Sequence, residues 1–326
     1  MNISYALRLL CLCLATFFVV NAILSLAAAF ASRAAIRIAE RMRPRPAAHF
    51  LLFLRLFPFA LGVAAVLGLC VPSYLWLEPQ ATPERASWAF LTLAFLGAVV
   101  CVFSIERGAR ALVVSARNNR NWRKSGRETC LPGEDSNAVI VEKEGPLLAL
   151  AGICRPRLII SDGVVRELSA DQLAVALRHE DAHRGSRDNL KRLLLLLAPD
   201  AIPFVGNFAL LDQAWSKFSE WAADDEAVEG DSRRALWLAE ALLRVARMGA
   251  GPQLTFLHTS LLAADLDLSA RVERLLRLEP SRFESLPRAR FLARGTVLLV
   301  AGSLAALMLW PATLSSVHGL LEVFLR

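Results

Sequence analysis

The chain has 326 residues, 55% of them hydrophobic and 21% charged, with a formal net charge of +7 and a mean hydropathy of +0.43. That composition excludes a disordered chain, a collagen-like repeat and a small disulfide scaffold. The apolar residues are also concentrated into long runs, which points to an integral membrane protein.

Four runs lack Asp, Glu, Lys and Arg: Leu9–Ser32, Leu56–Leu77, Ala86–Ile105 and Gly295–Val317. Each is long enough to cross a bilayer as a helix, which takes about 20 residues. Arg33, Arg37, Arg41, Arg43, Arg45 and Arg55 lie between the first two runs. Arg107, Arg110, Arg117, Arg120, Arg123, Lys124 and Arg127 follow the third, and Arg288, Arg290 and Arg294 precede the fourth. The connection Glu78 to Arg85 carries one arginine, and only Arg326 follows the last run. This is the positive-inside alternation. It predicts four spans, both termini outside and the long middle segment in the cytoplasm. The expected layout is a three-span region at 1–105, a cytoplasmic domain at 106–290 with its core at 138–278, and a last span with a short external tail at 291–326. No recognition motif accompanies the arginines, so nucleic acid is not an expected partner. The cysteines, four in the spans plus Cys130 and Cys154, lack paired metal or disulfide spacing.

After the third run, residues 106–135 read as a connector or an irregular surface helix, broken by Gly126, Pro132 and Gly133. Short strands are expected at Ala138–Val141, Leu147–Ile153 and Arg157–Ile160, the last leading into a turn at Ser161-Asp162-Gly163. Ser169 with Gln172 forms a capping box, and the helix it opens runs to a stop at Gly185. Ser186 with Asn189 starts the next helix, which ends at Pro199. Because Leu193–Leu211 contains Asp200 and two prolines, it reads as a core helix, a turn and a second buried helix, not a fifth span. Further helices are expected at Leu211–Glu229, Ser232–Met248 and Leu268–Leu278.

Chemistry concentrates in His179-Glu180-Asp181-Ala182-His183. Residues i and i+4 share a helix face, so both imidazoles approach one Zn²⁺, while Glu180 on the edge of that face reaches water at the metal as general base. A catalytic zinc takes three protein ligands. Glu220 is the expected third, and Asp224, one turn on, accepts the distal N–H of a zinc-bound histidine. Small Ala222 and Ala223 let that helix approach closely. No side chain is singled out to stabilise an oxyanion. Asp188 and Asn189 read as caps of the following helix, and Asn21 in the first span as an interhelical hydrogen-bonding residue or a tolerated amide. His258, His49 and His318 have no spacing that ties them to the site.

His179–His183 followed by Glu220 and Asp224 resembles the gluzincin arrangement of membrane metallopeptidases, the HtpX-like and BlaR/MecR-like families. The stretch Pro156–Leu193 and the segment Arg271-Val272-Glu273-Arg274-Leu275-Leu276 are similar to the BlaR/MecR-like branch, as are three spans before the domain and one after it. The resemblance covers Val139 to Leu278. It implies an α-helical multi-pass protein of a bacterial cytoplasmic membrane with a cytoplasmic α+β gluzincin-like zinc metallopeptidase domain. It also implies an edge strand near Leu147–Ile153 that binds a protein or peptide substrate, with a regulatory membrane protein as a further candidate partner. The chain ends without the large extracellular domain of the β-lactam sensors, so antibiotic sensing is not implied. Regulated proteolysis, membrane-protein quality control and a noncatalytic zinc-stabilised scaffold remain the alternatives.

Overall fold

The computed structural model describes residues 4–77, 87–129, 138–142, 145–153, 156–200, 207–249, 259–260 and 268–277, together with 315, 316 and 319. The fourth apolar run, Cys130, Cys154 and His258 fall outside this set, apart from Ser315 and Ser316 at the end of that run.

Among the described residues, three apolar helical stretches are long enough to cross a membrane: α1 (Tyr5–Ala39), the stretch Pro44–Leu77, and α4 (Trp88–Ser125). The second consists of α2 (Pro44–Ala65), a π-helical turn at Val66–Cys70, and α3 (Val71–Leu77). Pro58 lies inside α2, removing one helical N–H. The third begins at Ser87, whose hydroxyl accepts the Phe90 N–H at 3.2 Å. Helix α1 packs on both α2 and α4. A Cβ added at Gly97 would stand 2.3 Å from the Leu14 carbonyl oxygen, so the α1–α4 crossing is a backbone-to-backbone approach that only glycine permits.

Of the two readings of the arginine-rich stretch after the third run, a connector or an irregular surface helix, the structure has a helix, and it is continuous with the apolar run. Helix α4 continues through the expected domain boundary at 105/106 and ends at Ser125. Arginine is a good helix former, and beyond Gly108 no glycine or proline interrupts the chain before Gly126. The chain then enters a mixed sheet of β1 (Gly126–Thr129), β2 (Ala138–Val141), β3 (Leu148–Ala151), β4 (Arg157–Ser161) and β5 (Thr259–Ser260), in the order β1-β2-β4-β3-β5. Only the β2–β4 pair is parallel. Both faces of the sheet are covered. Leu148, Leu150, Leu158 and Ile160 pack with the helices that follow, whereas Val139, Val141, Leu147 and Ile159 meet Trp122 at the end of α4.

Ser161 does not open a turn but caps α5 (Asp162–Glu167), accepting from Val164 N at 3.4 Å. Its hydroxyl donates to Gly145 O at 2.8 Å and accepts from Leu147 N at 3.2 Å, tying β4 to the entry of β3. The capping box forms as expected at the start of α6 (Ala170–Ser186). The helix does not stop at Gly185. It runs to Ser186, and Arg187 turns the chain in the left-handed conformation, φ 56° and ψ 42°, directly into α7 (Asp188–Leu197).

Helix α8 (Asn207–Val228) is followed by α9 (Ser232–Arg247) and α10 (Leu268–Leu276). One face of α8, carrying Leu211, Trp215 and Phe218, packs on Ala39, Ala47 and Leu51 of α1 and α2. Ala227 and Val228 at its end join the core of sheet, α6 and α9. Helix α8 therefore belongs both to the membrane helices and to the mixed layer. The 193–211 stretch is, as its charge and prolines suggested, helix α7 and the start of α8, with residues 201–206 outside the described set.

Candidate metal centre

Helix α6 presents His179 and His183 one turn apart on its buried face, and α8 brings Glu220 against them. The two Nε2 atoms face each other at 3.2 Å. Glu220 Oε2 lies 3.4 Å from His179 Nε2, and Oε1 lies 3.6 Å from His183 Nε2. Two imidazole lone pairs at that separation repel unless a proton or a cation lies between them. A tetrahedral ion with bonds of about 2.0–2.2 Å separates its ligand atoms by roughly 3.3–3.6 Å. The histidine pair approaches that edge, each Glu220 oxygen lies near one imidazole, and one donor atom from each residue lies within 4.8 Å of the others, so the residues could hold a metal ion with a nitrogen, nitrogen, oxygen donor set.

Each ligand has an outer partner, and here the structure adds to the sequence reading. His179 Nδ1 lies 3.0 Å from Asp224 Oδ1, as the Glu220–Asp224 spacing suggested, although the N–H direction is not aligned as a hydrogen bond. His183 Nδ1 pairs with Asp188 Oδ2 at 2.7 Å. Asp188 was expected to cap α7. Instead it is buried and holds the second histidine, and it also accepts from Ser219 Oγ at 2.8 Å and Lys191 Nζ at 2.7 Å. Asn189 is not a cap either: its Nδ2 donates to Leu150 O at 3.1 Å and Gly152 O at 2.8 Å, fastening β3 to α7. The left-handed turn at Arg187 makes both contacts possible, because it brings the start of α7 back under α6. Acidic Asp188 just after the motif was the available signal, and its helix-cap role competed with it.

Arg271 of α10 is the other residue that spacing did not assign. Its guanidinium grips Asp224 through Nε at 2.9 Å and Nη2 at 2.7 Å, and Nη1 reaches Glu220 Oε2 at 3.3 Å. Asp225 and Glu226, next in sequence, pair with Arg274 and Arg45 away from the metal ligands.

Charge follows this geometry. Burial opposes ionisation of Asp224, but the Arg271 charge and the His179 contact outweigh it and hold the carboxyl down at about 2. Glu220 is likewise held well below its ordinary range by His183, His179 and Arg271, against burial. Burial opposes a charged His183, yet Glu220 and Asp188 raise it to about 10. Glu180 goes the other way: burial pushes its carboxyl up to about 7 against the pull of both histidines. Both Glu180 oxygens are buried without a hydrogen-bond partner.

The strand expected to offer an open substrate edge is paired on both sides. Residues Leu150 and Ala149 of β3 face Thr259 and Ser260 of β5. His49 of α2 lines a cavity together with Asp188 and Ser219 and is not among the candidate ligands. No protein-family description and no curated protein matches the chain.

Proposed function

We propose that this chain is a membrane-anchored, zinc-dependent endopeptidase that hydrolyses peptide bonds in a cytoplasmic or membrane-associated protein. In this reading the 138–278 region is a gluzincin-like domain related to the BlaR/MecR-like peptidases, and Gly295–Val317 is a fourth span that leaves the domain in the cytoplasm. One observation carries the proposal. One donor atom from each of the buried His179, His183 and Glu220 lies within 4.8 Å of the others, beside a buried Glu180 carboxylate whose oxygens have no hydrogen-bond partner.

Bound zinc supplies the Lewis acidity that polarises a scissile carbonyl and acidifies water. Glu180 takes a proton from the attacking water as the water oxygen bonds to the carbonyl carbon and the π pair moves onto the carbonyl oxygen. The C–N bond then breaks, and the leaving nitrogen takes the proton from Glu180. In the metal-free protein burial raises the Glu180 carboxyl, and a bound dication would draw it back toward the ionised form that a general base needs. Asp224 and Asp188 keep the imidazoles oriented, and Arg271 keeps Asp224 in place.

Full-length protein reconstituted in membranes should contain about one zinc per chain. Glu180→Gln should keep that zinc and lose cleavage of a substrate that wild type processes, read by N-terminal analysis of the products. Equal processing by both proteins would sink the assignment. The depth of the site, with Glu180 only 1% exposed, favours one second reading, a metal-stabilised scaffold without turnover. It predicts the same zinc content and no product from either protein.

A further inference from the structure

Peptide-bond hydrolysis develops negative charge on the former carbonyl oxygen, and a positioned donor at that oxygen accelerates the step. Among the described residues, two guanidiniums come within 4 Å of Glu220, those of Arg271 and Arg192. Arg271 is committed to Asp224 by two hydrogen bonds. Arg192 is not so committed. Its Nη2 stands 3.7 Å from Glu220 Oε1, beyond hydrogen-bond reach, and its buried Nε and Nη2 have no hydrogen-bond partner.

Its placement follows from the helix. Asp188 and Arg192 are one turn apart on α7, so the residue that holds His183 and the guanidinium share a face toward the metal ligands. Trp215 of α8 steadies the guanidinium, with Cζ 5.7 Å from the ring centroid. Lys191, next to it on α7, donates to Asp188 at 2.7 Å. The Arg192 side chain is 17% exposed, against 0% for both histidines and 2% for Glu220. Arg192 thus reaches from the partly exposed rim of the site to buried nitrogens beside Glu220.

We propose that Arg192 is a catalytic residue, whose Nε and Nη2, neither engaged in a hydrogen bond, donate to the oxyanion formed from the substrate carbonyl at the metal centre. This rests on the peptidase reading above. The donors keep their protons, no bond forms to Arg192, and the oxyanion's electron pair returns to carbon as the C–N bond breaks.

The test uses full-length protein loaded with Co²⁺ and titrated with inorganic phosphate, a tetrahedral anion, while the cobalt absorption bands are followed. Wild type should bind cobalt and show a phosphate-dependent band shift. Arg192→Ala and Arg192→Gln should keep their cobalt and weaken phosphate binding about 10- to 100-fold, with Arg192→Lys intermediate. Unchanged phosphate affinity in Arg192→Ala, or no phosphate response in wild type, overturns the proposal. Loss of cobalt from both neutral variants also overturns it, because Arg192 would then serve only to hold Glu220. Failure of wild type to bind cobalt at all would instead remove the metal reading beneath it.

Discussion

At the scale of single residues, the centre is a chain of opposite charges running from Lys191 through Asp188, His183 and Glu220 to Arg271 and Asp224. Burial alone would make His183 neutral. Glu220 and Asp188 overcome it and raise the imidazole to about 10 in the metal-free protein. A histidine raised above its unfolded value of about 6.5 stabilises the metal-free fold below that pH, and the contribution fades as pH rises toward 10. A metal ion needs the neutral ring, so binding near neutral pH must expel protons. Calorimetric zinc titrations in buffers of different ionisation enthalpy should show proton release by wild type. Asp188→Asn should release fewer protons and bind zinc about 10- to 100-fold more weakly. Equal affinity and equal release would remove Asp188 from the centre.

At the scale of elements, the join between α6 and α7 decides which side chains meet. Arg187 carries it in the left-handed region, φ 56°, where a side chain with a Cβ is strained by roughly 1–2 kcal/mol. No sequence rule places that strain on an arginine when Gly185 stands two positions earlier. The helix passed the glycine because its last turn is needed to seat His183 against Asp188, and Ser186 Oγ returns a hydrogen bond to His183 O at 3.2 Å. Arg187→Gly should raise the thermal midpoint, by up to about 1 kcal/mol of stability after glycine's own entropic cost. Arg187→Pro should lower it, since proline holds φ near −65°. An unchanged midpoint in both would show that the turn stores no strain.

At the scale of the whole molecule, α8 joins the candidate metal ligand Glu220 to the apolar helices. Its Glu220 faces α6, while Leu211, Trp215 and Phe218 pack on α1 and α2. A charged cluster locks the same junction. Arg55 of α2, only 3% exposed, donates to Asp200 at 2.6 Å and Asp212 at 3.2 Å and lies over the Phe208 ring, while Arg107 of α4 donates to Asp200 at 2.6 Å. Asp200→Ala leaves a buried guanidinium with one weaker partner, and should cost roughly 1.5–3 kcal/mol with zinc content retained. A melt in detergent alongside metal analysis checks both halves. Unchanged stability would mean that the cluster does not hold α2 and α4 to the α7–α8 junction.

Local patterns in the chain determined the parts of this protein that depend on near neighbours. Of the four apolar runs, three coincide among the described residues with helices long enough to cross a membrane, the three expected strand segments and the Ser169 capping box stand where short apolar runs and cap chemistry put them, and i, i+4 spacing paired His179 with His183. Residues distant in sequence were harder to assign. Asp224 was legible from its spacing to Glu220, but its clamp Arg271 lies 47 positions further on. Asp188 and Asn189 were misread as caps because, on a short segment, capping and ligand support call for the same residue types. Only the tertiary structure decided between them: the turn at Arg187 carries α7 back beneath α6, so that Asp188 meets His183 and Asn189 meets β3. Packing, too, set Trp122 at the end of α4 against the sheet and β5 beside β3. Those outcomes depend on which buried surfaces find each other, and pairings between distant segments leave no periodicity along the chain.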